Sequence, residues 1–349
     1  MKGFTSAAVL MAIFLLVITG CSSRLDDGSN GALATPEATH LNPWSGVTGI
    51  FDPSNHSWPR TVEVLNGLVT IDAKPERILT VSLGHDEVTY ALVPSNRVVA
   101  TSISAKMPQH SNVAHLAQAV GVIALDPEQV ISYNPDLVVA SPYTKADFID
   151  AVQNVGIPVV QTKLHNDSDG RIQDILLLGY VYGEIDRALE FADEVRGRYG
   201  ALKIITSGKP ITDRLRVLSL TSYSDKIYTA GNGSTEGSII EAADGINAAA
   251  LAGLQGTPTT SLEGVIAMAP EVIVIPQPPD SGEAFRNQLL ADAVLAEIPA
   301  IKHGRVYVVP SKFFTTLSFW NLRGAEHLAL LLWPNDFGPM KFPGFSFPD

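Results

Sequence analysis

The chain carries an internal repeat that restricts the folds open to it. Residues 128–139 read EQVISYNPDLVV and residues 263–274 read EGVIAMAPEVIV, so five of the twelve aligned positions are identical. In each copy a proline separates a short segment from an acidic residue and a continuous apolar run. Because proline ends a helix and a buried parallel strand reads as an unbroken apolar run, each copy predicts a short helix followed by a strand.

The segments that flank the two copies repeat in the same order. Residues 77–82 precede the first copy as residues 216–221 precede the second, and residues 156–160 follow the first as residues 304–309 follow the second. A helix, a proline and a strand in succession are common in α/β proteins. Because the flanking segments also repeat in the same order, we interpret the similarity as an internal duplication. We predict an α/β fold of two similar lobes, each a parallel-rich sheet flanked by helices, that meet along a ligand-binding cleft.

Composition and charge are those of a folded, acidic protein. The 349 residues are 46% apolar and 17% charged, and this length is enough for about two domains. The formal net charge is −12 at pH 7, and an acidic surface repels nucleic acid and anionic lipid headgroups. We therefore predict no nucleic-acid partner, and we expect membrane association to come from a covalent lipid.

The first 20 residues have the pattern of a signal peptide. Lys2 gives a positive start, and residues 7–18 form an apolar stretch that is too short to span a bilayer. Cys21 follows as the only cysteine of the chain, and the sequence ITGC at 18–21 resembles the bacterial lipobox. We expect cleavage before Cys21, lipidation of its thiol, and an extracytoplasmic, membrane-anchored location. An unmodified cysteine in an ordinary signal peptide is the alternative.

Composition and periodicity divide the rest of the chain. Residues 21–57 are rich in Gly, Ser, Asn, Asp, Thr and Pro without a sustained period, which predicts a flexible tether. The two lobes are expected to be joined by helices with a break near Gly183. The predicted order after the tether is an N-terminal lobe at 58–168 that starts with a β-hairpin around Asn66-Gly67, connecting helices at 169–204, a C-terminal lobe at 205–335 and an extended tail at 336–349.

Motifs in both halves carry a resemblance to a known family. The N-terminal half has WPRTV at 58–62, VTIDAKPERI at 69–78 and DPEQVISYNPDLV at 126–138, and the C-terminal half has YTAGNG at 228–233, IEAADGIN at 240–247, SLEGV at 261–265 and FWNLRGAE at 319–326. In order and spacing, residues 58–333 resemble the substrate-binding proteins of ABC importers for ferric siderophores, haem and vitamin B12.

The resemblance implies two lobes joined by a single long helix, and a monomer that delivers its ligand to a permease dimer. It also implies that a glutamate on each lobe pairs with arginines of the permease, and by motif position these are Glu128 and Glu263. The alternative for both is a carboxylate at a helix start, stabilised by the helix dipole and exposed to water.

The ligand itself must be argued from side chains, because bulky chelates need aromatic walls and a few polar groups that fix orientation. Tyr143, Tyr223 and Trp320 are the preferred aromatic candidates, although core packing is an alternative for each. Asp86 and Glu87 are expected as carboxylates in the first turn of a helix. The further candidate ligand contacts are Arg60, His85, Lys145, Tyr228 and Arg323, with Trp58, Lys226 and Phe314 as additional members of the set.

Arginines and lysines at the cleft favour an anionic metal chelate, and a ferric siderophore is the ligand we expect. Haem, with His85 or a tyrosine as its axial ligand, and cobalamin are the alternatives. No intrinsic cofactor is expected. The eight histidines are scattered and the lone cysteine is assigned to the lipid, so no bare-metal site is predicted.

An enzyme is disfavoured because the sequence lacks a Gly-x-Ser-x-Gly elbow, a phosphate-binding Gly-x-x-x-x-Gly-Lys loop and a zinc-hydrolase motif. A tethered sensor that hands its ligand to a signalling receptor remains a further alternative.

Overall fold

The computed structural model describes residues 42–207 and 209–349. Cys21 and the predicted signal peptide lie outside these residues. Among the helices of the described ranges, none has the length and apolar character needed to cross a bilayer.

The N-terminal lobe is built on a five-stranded parallel sheet with the strand order β5-β4-β3-β6-β7. The predicted antiparallel hairpin precedes it, with Leu65 and Asn66 as the turn between paired Val64 and Gly67. The strands are β1 (Arg60–Val64), β2 (Gly67–Ile71), β3 (Ile78–Thr80), β4 (Val98–Ser102), β5 (Gly121–Ile123), β6 (Leu137–Ala140) and β7 (Val159–Gln161). The helices are α1 (Leu83–Leu92), α2 (Ala114–Ala117), α3 (Pro127–Ser132) and α4 (Ala146–Gln153).

Two helices leave this lobe, α5 (Ser168–Tyr182) and α6 (Ile185–Thr206). Asp167 caps the start of α5, since its carboxylate accepts a hydrogen bond from the Gly170 N–H at 2.8 Å. Gly183 ends the helix in the left-handed conformation at φ 75°, which glycine adopts without steric cost. The 22-residue helix α6 then connects the two lobes.

The C-terminal lobe has a mixed sheet with the order β11-β9-β8-β12-β13, in which β8, β12 and β13 are parallel and β10 also pairs with β8. Its strands are β8 (Arg216–Tyr223), β9 (Lys226–Thr229), β10 (Ile246–Asn247), β11 (Thr259–Thr260), β12 (Val272–Pro276) and β13 (Val306–Val309). Its helices are α7 (Thr235–Ala242), α8 (Ala248–Leu251), α9 (Leu262–Met268), α10 (Pro279–Ala291), α11 (Pro299–Lys302), α12 (Ser311–Phe314), α13 (Asn321–Leu332) and α14 (Pro334–Phe337).

The two copies of the sequence repeat occupy equivalent places. Each forms a short helix followed by a central strand, α3 and β6 in one lobe and α9 and β12 in the other. In β6, Leu137 and Val139 face a core shared with α5 and α6, while Val138 and Ala140 face the outer helices of the lobe. Strand β12 alternates in the same way between the shared core and the core of its own lobe. The predicted two-lobe α/β fold is confirmed.

The predicted flexible tether at 21–57 is wrong for residues 42–57, because this segment packs on the N-terminal lobe. Trp44, Val47 and Ile50 are buried, and the Trp44 ring lies 6.2 Å from that of Tyr180 in α5. Ile50 also forms an isolated bridge to Val62 of β1. This short apolar set has no regular period, so composition alone did not reveal it.

Candidate functional site

The candidate site is the groove between the lobes, at the carboxyl ends of the central strands. A cavity of about 200 Å³ lies there between loops of the N-terminal lobe and residues 315–317 of the C-terminal lobe. A second cavity of about 380 Å³ is also lined by both lobes, by Pro108 and Gln109 on one side and by residues 308–312 on the other. Helix α12 separates the two, since its first residues line the larger cavity and the residues after it line the smaller one.

His85 lines the smaller cavity but both of its ring nitrogens are engaged. Nδ1 lies 2.7 Å from the Ser82 hydroxyl and Nε2 lies 2.8 Å from the Thr162 hydroxyl. Burial lowers the pKa of His85 to about 4, so the imidazole is neutral at pH 7. With both nitrogens hydrogen-bonded inside the lobe, His85 has no free nitrogen to serve as an axial ligand of haem.

Two of the preferred tyrosines project from the ends of central strands. Tyr143 follows β6, lines the smaller cavity and is 87% exposed. Tyr223 ends β8 in the other lobe and is 74% exposed. Lys145 is exposed two residues beyond Tyr143, and Lys226 is exposed at the start of β9, which also contains the half-buried Tyr228.

Arg60 does not reach the groove. Its guanidinium is buried under the N-terminal lobe, where it donates to the carbonyl oxygens of His56 at 2.6 Å and Tyr180 at 2.5 Å. It also stacks on Trp58, with Cζ 4.4 Å from the ring centroid. These contacts fix the chain entry to β1, so Arg60 and Trp58 have a structural role in place of the expected ligand contact.

Trp320 and Arg323 also lie elsewhere. The Trp320 ring is 9% exposed and packs among Phe313, Phe319 and Phe345, the last of which comes from the C-terminal tail. Arg323 donates to the Glu326 carboxylate at 2.9 Å and to the Pro343 carbonyl at 3.3 Å. Phe314 is fully buried. This aromatic cluster attaches the tail to the body.

Two carboxylates behind the smaller cavity are buried, which the sequence did not reveal. Asp86 lies in the first turn of α1, as expected, Glu87 follows it, and both are fully buried. Asp86 accepts hydrogen bonds from the hydroxyls of Thr80 and Ser102, at the ends of β3 and β4. Burial raises its pKa to about 8.

Glu128 and Glu263 stand at equivalent places on the two lobes. Each is exposed in the first turn of its helix, α3 or α9. The N-cap hydroxyl of Ser261 holds the pKa of Glu263 below its usual value. Both side chains are therefore accessible to a partner protein.

Metal binding by side chains alone finds no support in the described residues. Across 42–207 and 209–349, no group of three or more His, Cys, Asp or Glu side chains is arranged to hold a metal ion.

Comparison with known proteins agrees with this architecture. The periplasmic binding protein family matches residues 78–313. A cobalamin-binding protein of Halobacterium salinarum is 26% identical over 260 residues, which are 70% of this chain and 66% of that protein's length, just under two thirds. The uncharacterized ABC transporter substrate-binding lipoprotein YvrC of Bacillus subtilis is 28% identical over 338 residues, covering 95% of this chain and 97% of YvrC.

A solved structure shares the fold. The molybdate periplasmic binding protein MolA of Haemophilus influenzae superposes with a TM-score of 0.67 at 23% identity, covering 80% of this chain and 92% of MolA. The family match spans more than half of the chain, including both copies of the repeat. The chain therefore belongs to the periplasmic binding protein family, a family of binding proteins and not of enzymes.

Proposed function

We propose that the protein captures a corrinoid such as cobalamin in the groove between its lobes and delivers it to an ABC permease. The observation that carries this proposal is the absence of charge around the smaller cavity. Its eleven lining residues include no Arg, Lys, Asp or Glu, and His85, the one imidazole among them, is neutral at pH 7.

An uncharged lining suits a large ligand whose rim carries amides. Cavity walls of this kind offer aliphatic and aromatic faces together with hydroxyl groups that accept and donate hydrogen bonds. Leu83, Leu164 and Leu317 supply the apolar faces, and Tyr143 supplies an aromatic one. The Halobacterium salinarum relative, which is named as cobalamin-binding, supports the same ligand class.

A ferric siderophore is the second candidate, and the exposed Lys145 and Lys226 favour it. Each stands within three residues of a candidate tyrosine, Tyr143 or Tyr223, so a polyanionic chelate bound between these tyrosines would meet two ammonium groups. The two arginines expected to bind such an anion lie outside the groove, under β1 and beside the tail. For this reason we place the siderophore after the corrinoid.

Binding measurements separate the candidates. The full chain with Cys21→Ser should bind cyanocobalamin in a calorimetric titration, and the ligand should raise the melting temperature, because a ligand that binds only the folded state stabilises it by mass action. Haemin, a ferric catecholate, a ferric hydroxamate and molybdate complete the panel. A melting shift with a ferric chelate and none with cyanocobalamin would overturn the corrinoid assignment.

Single substitutions then test the cleft tyrosines. Removal of an aromatic face, Tyr143→Ala or Tyr223→Ala, should weaken binding about tenfold each, since aromatic contacts dominate such sites. Phe51→Ala is the matched control, because Phe51 is 65% exposed and lies in the segment before β1. Equal binding by all three variants would remove the tyrosines from the site.

Two further proposals concern the membrane. We propose that Glu128 and Glu263 contact the permease dimer, one on each lobe, which their exposure at equivalent helix starts supports. We also propose that Cys21 carries the lipid that holds the protein at the membrane. Mass spectrometry of the membrane fraction from cells that express the chain tests this, with Cys21→Ala as the control.

A further inference from the structure

Glu87 is a buried carboxylate that both lobes share. It lies in α1 of the N-terminal lobe, and its Oε1 accepts hydrogen bonds from the backbone N–H of Asn112 at 2.9 Å and from the Asn112 side-chain amide at 2.8 Å. Its Oε2 accepts from the hydroxyls of Thr316, at 2.6 Å, and Ser318, which belong to the C-terminal lobe. One carboxylate therefore ties residues that are more than 200 positions apart in the chain.

The neighbouring contacts attach the same segment of the C-terminal lobe. The Asn112 side chain also donates to the Lys312 carbonyl at 2.8 Å, and the Ser311 hydroxyl donates to the Gln109 carbonyl at 3.0 Å. Residues 311–318 are thus held on the N-terminal lobe through side-chain hydrogen bonds. Burial raises the pKa of the Glu87 carboxyl group, and its two oxygens accept two hydrogen bonds from Asn112 and two from the C-terminal lobe. Glu87 is therefore the most connected of these anchors.

The anchored segment is also a wall of the ligand groove. Thr315, Thr316 and Leu317 line the smaller cavity. Leu317 packs closely on the first turn of α1, where a Cβ added to Gly84 would lie 3.3 Å from the Leu317 Cβ. The position of this wall relative to the N-terminal lobe is therefore defined at Gly84 by close packing and at Glu87 by hydrogen bonds.

We propose that Glu87 is a positioning residue that sets the width of the ligand groove by holding residues 315–317 at a fixed distance from the loops of the N-terminal lobe. It does not line the cavity, so it acts through Thr316 and Leu317. A wall fixed before the ligand arrives removes an ordering cost from binding. This proposal rests on the proposed function only in the choice of ligand.

The test removes the donors of the C-terminal lobe and leaves the carboxylate in place. In T316V/S318A both hydroxyls that bond Glu87 are lost, and the wall is expected to loosen. The matched control is T89V, which removes the buried bond of 2.6 Å between the hydroxyls of Thr89 and Tyr182 without touching the other lobe. At a temperature well below melting, T316V/S318A should bind cyanocobalamin at least tenfold more weakly than the wild type, whereas T89V should bind equally well.

A conservative series separates positioning from simple destabilisation. E87A should behave as T316V/S318A does. E87Q, whose amide oxygen still accepts from Thr316 and Ser318, should recover part of the affinity. Wild-type affinity in T316V/S318A, or an equal loss in T89V, would overturn the proposal.

Hydrogen exchange followed by mass spectrometry measures, without a ligand, how firmly Glu87 holds residues 311–318. Amides of 311–318 should exchange faster in T316V/S318A than in the wild type, and T89V should leave them unchanged. If the wild-type protein does not bind cyanocobalamin, the corrinoid assignment is wrong. Hydrogen exchange of residues 311–318 would then test the role of Glu87 without any ligand. Unchanged exchange in T316V/S318A would refute it.

Discussion

The Arg77 guanidinium donates through Nε to the carbonyl oxygen of Asn134 at 2.7 Å, and so holds the turn that leads into the central strand of its lobe. Asn134 adopts the left-handed conformation at φ 48°, directly before Pro135. The carboxylate of Asp136 in turn accepts from the backbone N–H of Arg77 at 2.9 Å. The start of one strand and the start of its neighbour are thereby fixed to each other.

The second lobe repeats this arrangement with other residues. Nε of Arg216 donates to the carbonyl oxygen of Ala269 at 3.0 Å, and Ala269 is left-handed at φ 43°. Glu271 accepts from the backbone N–H of Arg216 at 3.0 Å. The sequence repeat thus encodes a turn and its arginine as well as a helix and a strand.

These arginines give a first prediction. R77M and R216M should each lower the free energy of unfolding by about 1 kcal/mol, the usual net contribution of such hydrogen bonds. The two sites lie in different lobes, so the double variant should lose the sum of the two to within about 0.5 kcal/mol. Urea unfolding measures this, with R196M on the exposed face of α6 as the control; a strongly non-additive double variant would contradict it.

Charge reversal tests the proposed permease contacts. E128K/E263K should bind the ligand as the wild type does, because both residues are exposed and neither lines the two groove cavities, yet uptake by the assembled importer should be abolished. Charged contacts at the rim of an interface fix docking orientation. E297K is the matched control, since Glu297 is exposed on the C-terminal lobe. Normal uptake by E128K/E263K would argue against docking at these glutamates.

Asp86 should make stability depend on pH. Burial raises its pKa from the ordinary value of 3.8 to about 8 in the folded protein. Between these values the folded chain keeps a proton that the unfolded chain has released. The free energy of unfolding is therefore expected to fall as the pH rises from 4 to 8, by at most about 1.4 kcal/mol per pH unit from this group.

The substitution D86N removes the titrating group and should flatten this dependence. Melting temperatures of D86N and the wild type, measured across pH 4 to 8, should differ most in slope. D147N, at an exposed aspartate of α4, should leave the slope as it is. Parallel curves for D86N and the wild type would show that Asp86 does not hold its proton in this range.

The ion pair between Arg198 and Glu326 joins α6 to α13. Two hydrogen bonds of 2.8 Å connect the guanidinium to the carboxylate, which is buried. R198M should cost about 3 to 5 kcal/mol, because it leaves the Glu326 charge buried with Arg323 as its remaining cationic partner. R198M/E326L should recover most of that loss. Equal unfolding free energies for the single and double variants would contradict this reading.

The repeat made the fold predictable, because apolar periodicity and the prolines that end helices are local features that can be read from the sequence. Whether an aromatic side chain is buried depends on residues that are distant in sequence. Trp320 lies beside a predicted helix, and its ring is covered by Phe345, a residue 25 positions later. Tyr143 and Tyr223 do follow buried strands, as expected, and their contact with a ligand stays a prediction.

The polar residues show the same limit. The Arg60 guanidinium donates to the nearby His56 carbonyl but also to that of Tyr180, 120 residues away. The burial of Glu87 depends on Thr316 and Ser318, which are more than 220 residues away. Charges whose partners are distant in sequence cannot be assigned from local pattern.

Helix α6 has a consequence for transport. At 1.5 Å per residue its 22 residues span about 33 Å, and its buried side packs on both lobes. A continuous helix bends little, so the spacing of Glu128 and Glu263 should differ only slightly between the empty and the loaded protein. On the docking proposal, we expect an empty copy to compete with a loaded one for the same permease, so that uptake falls when the protein outnumbers its ligand.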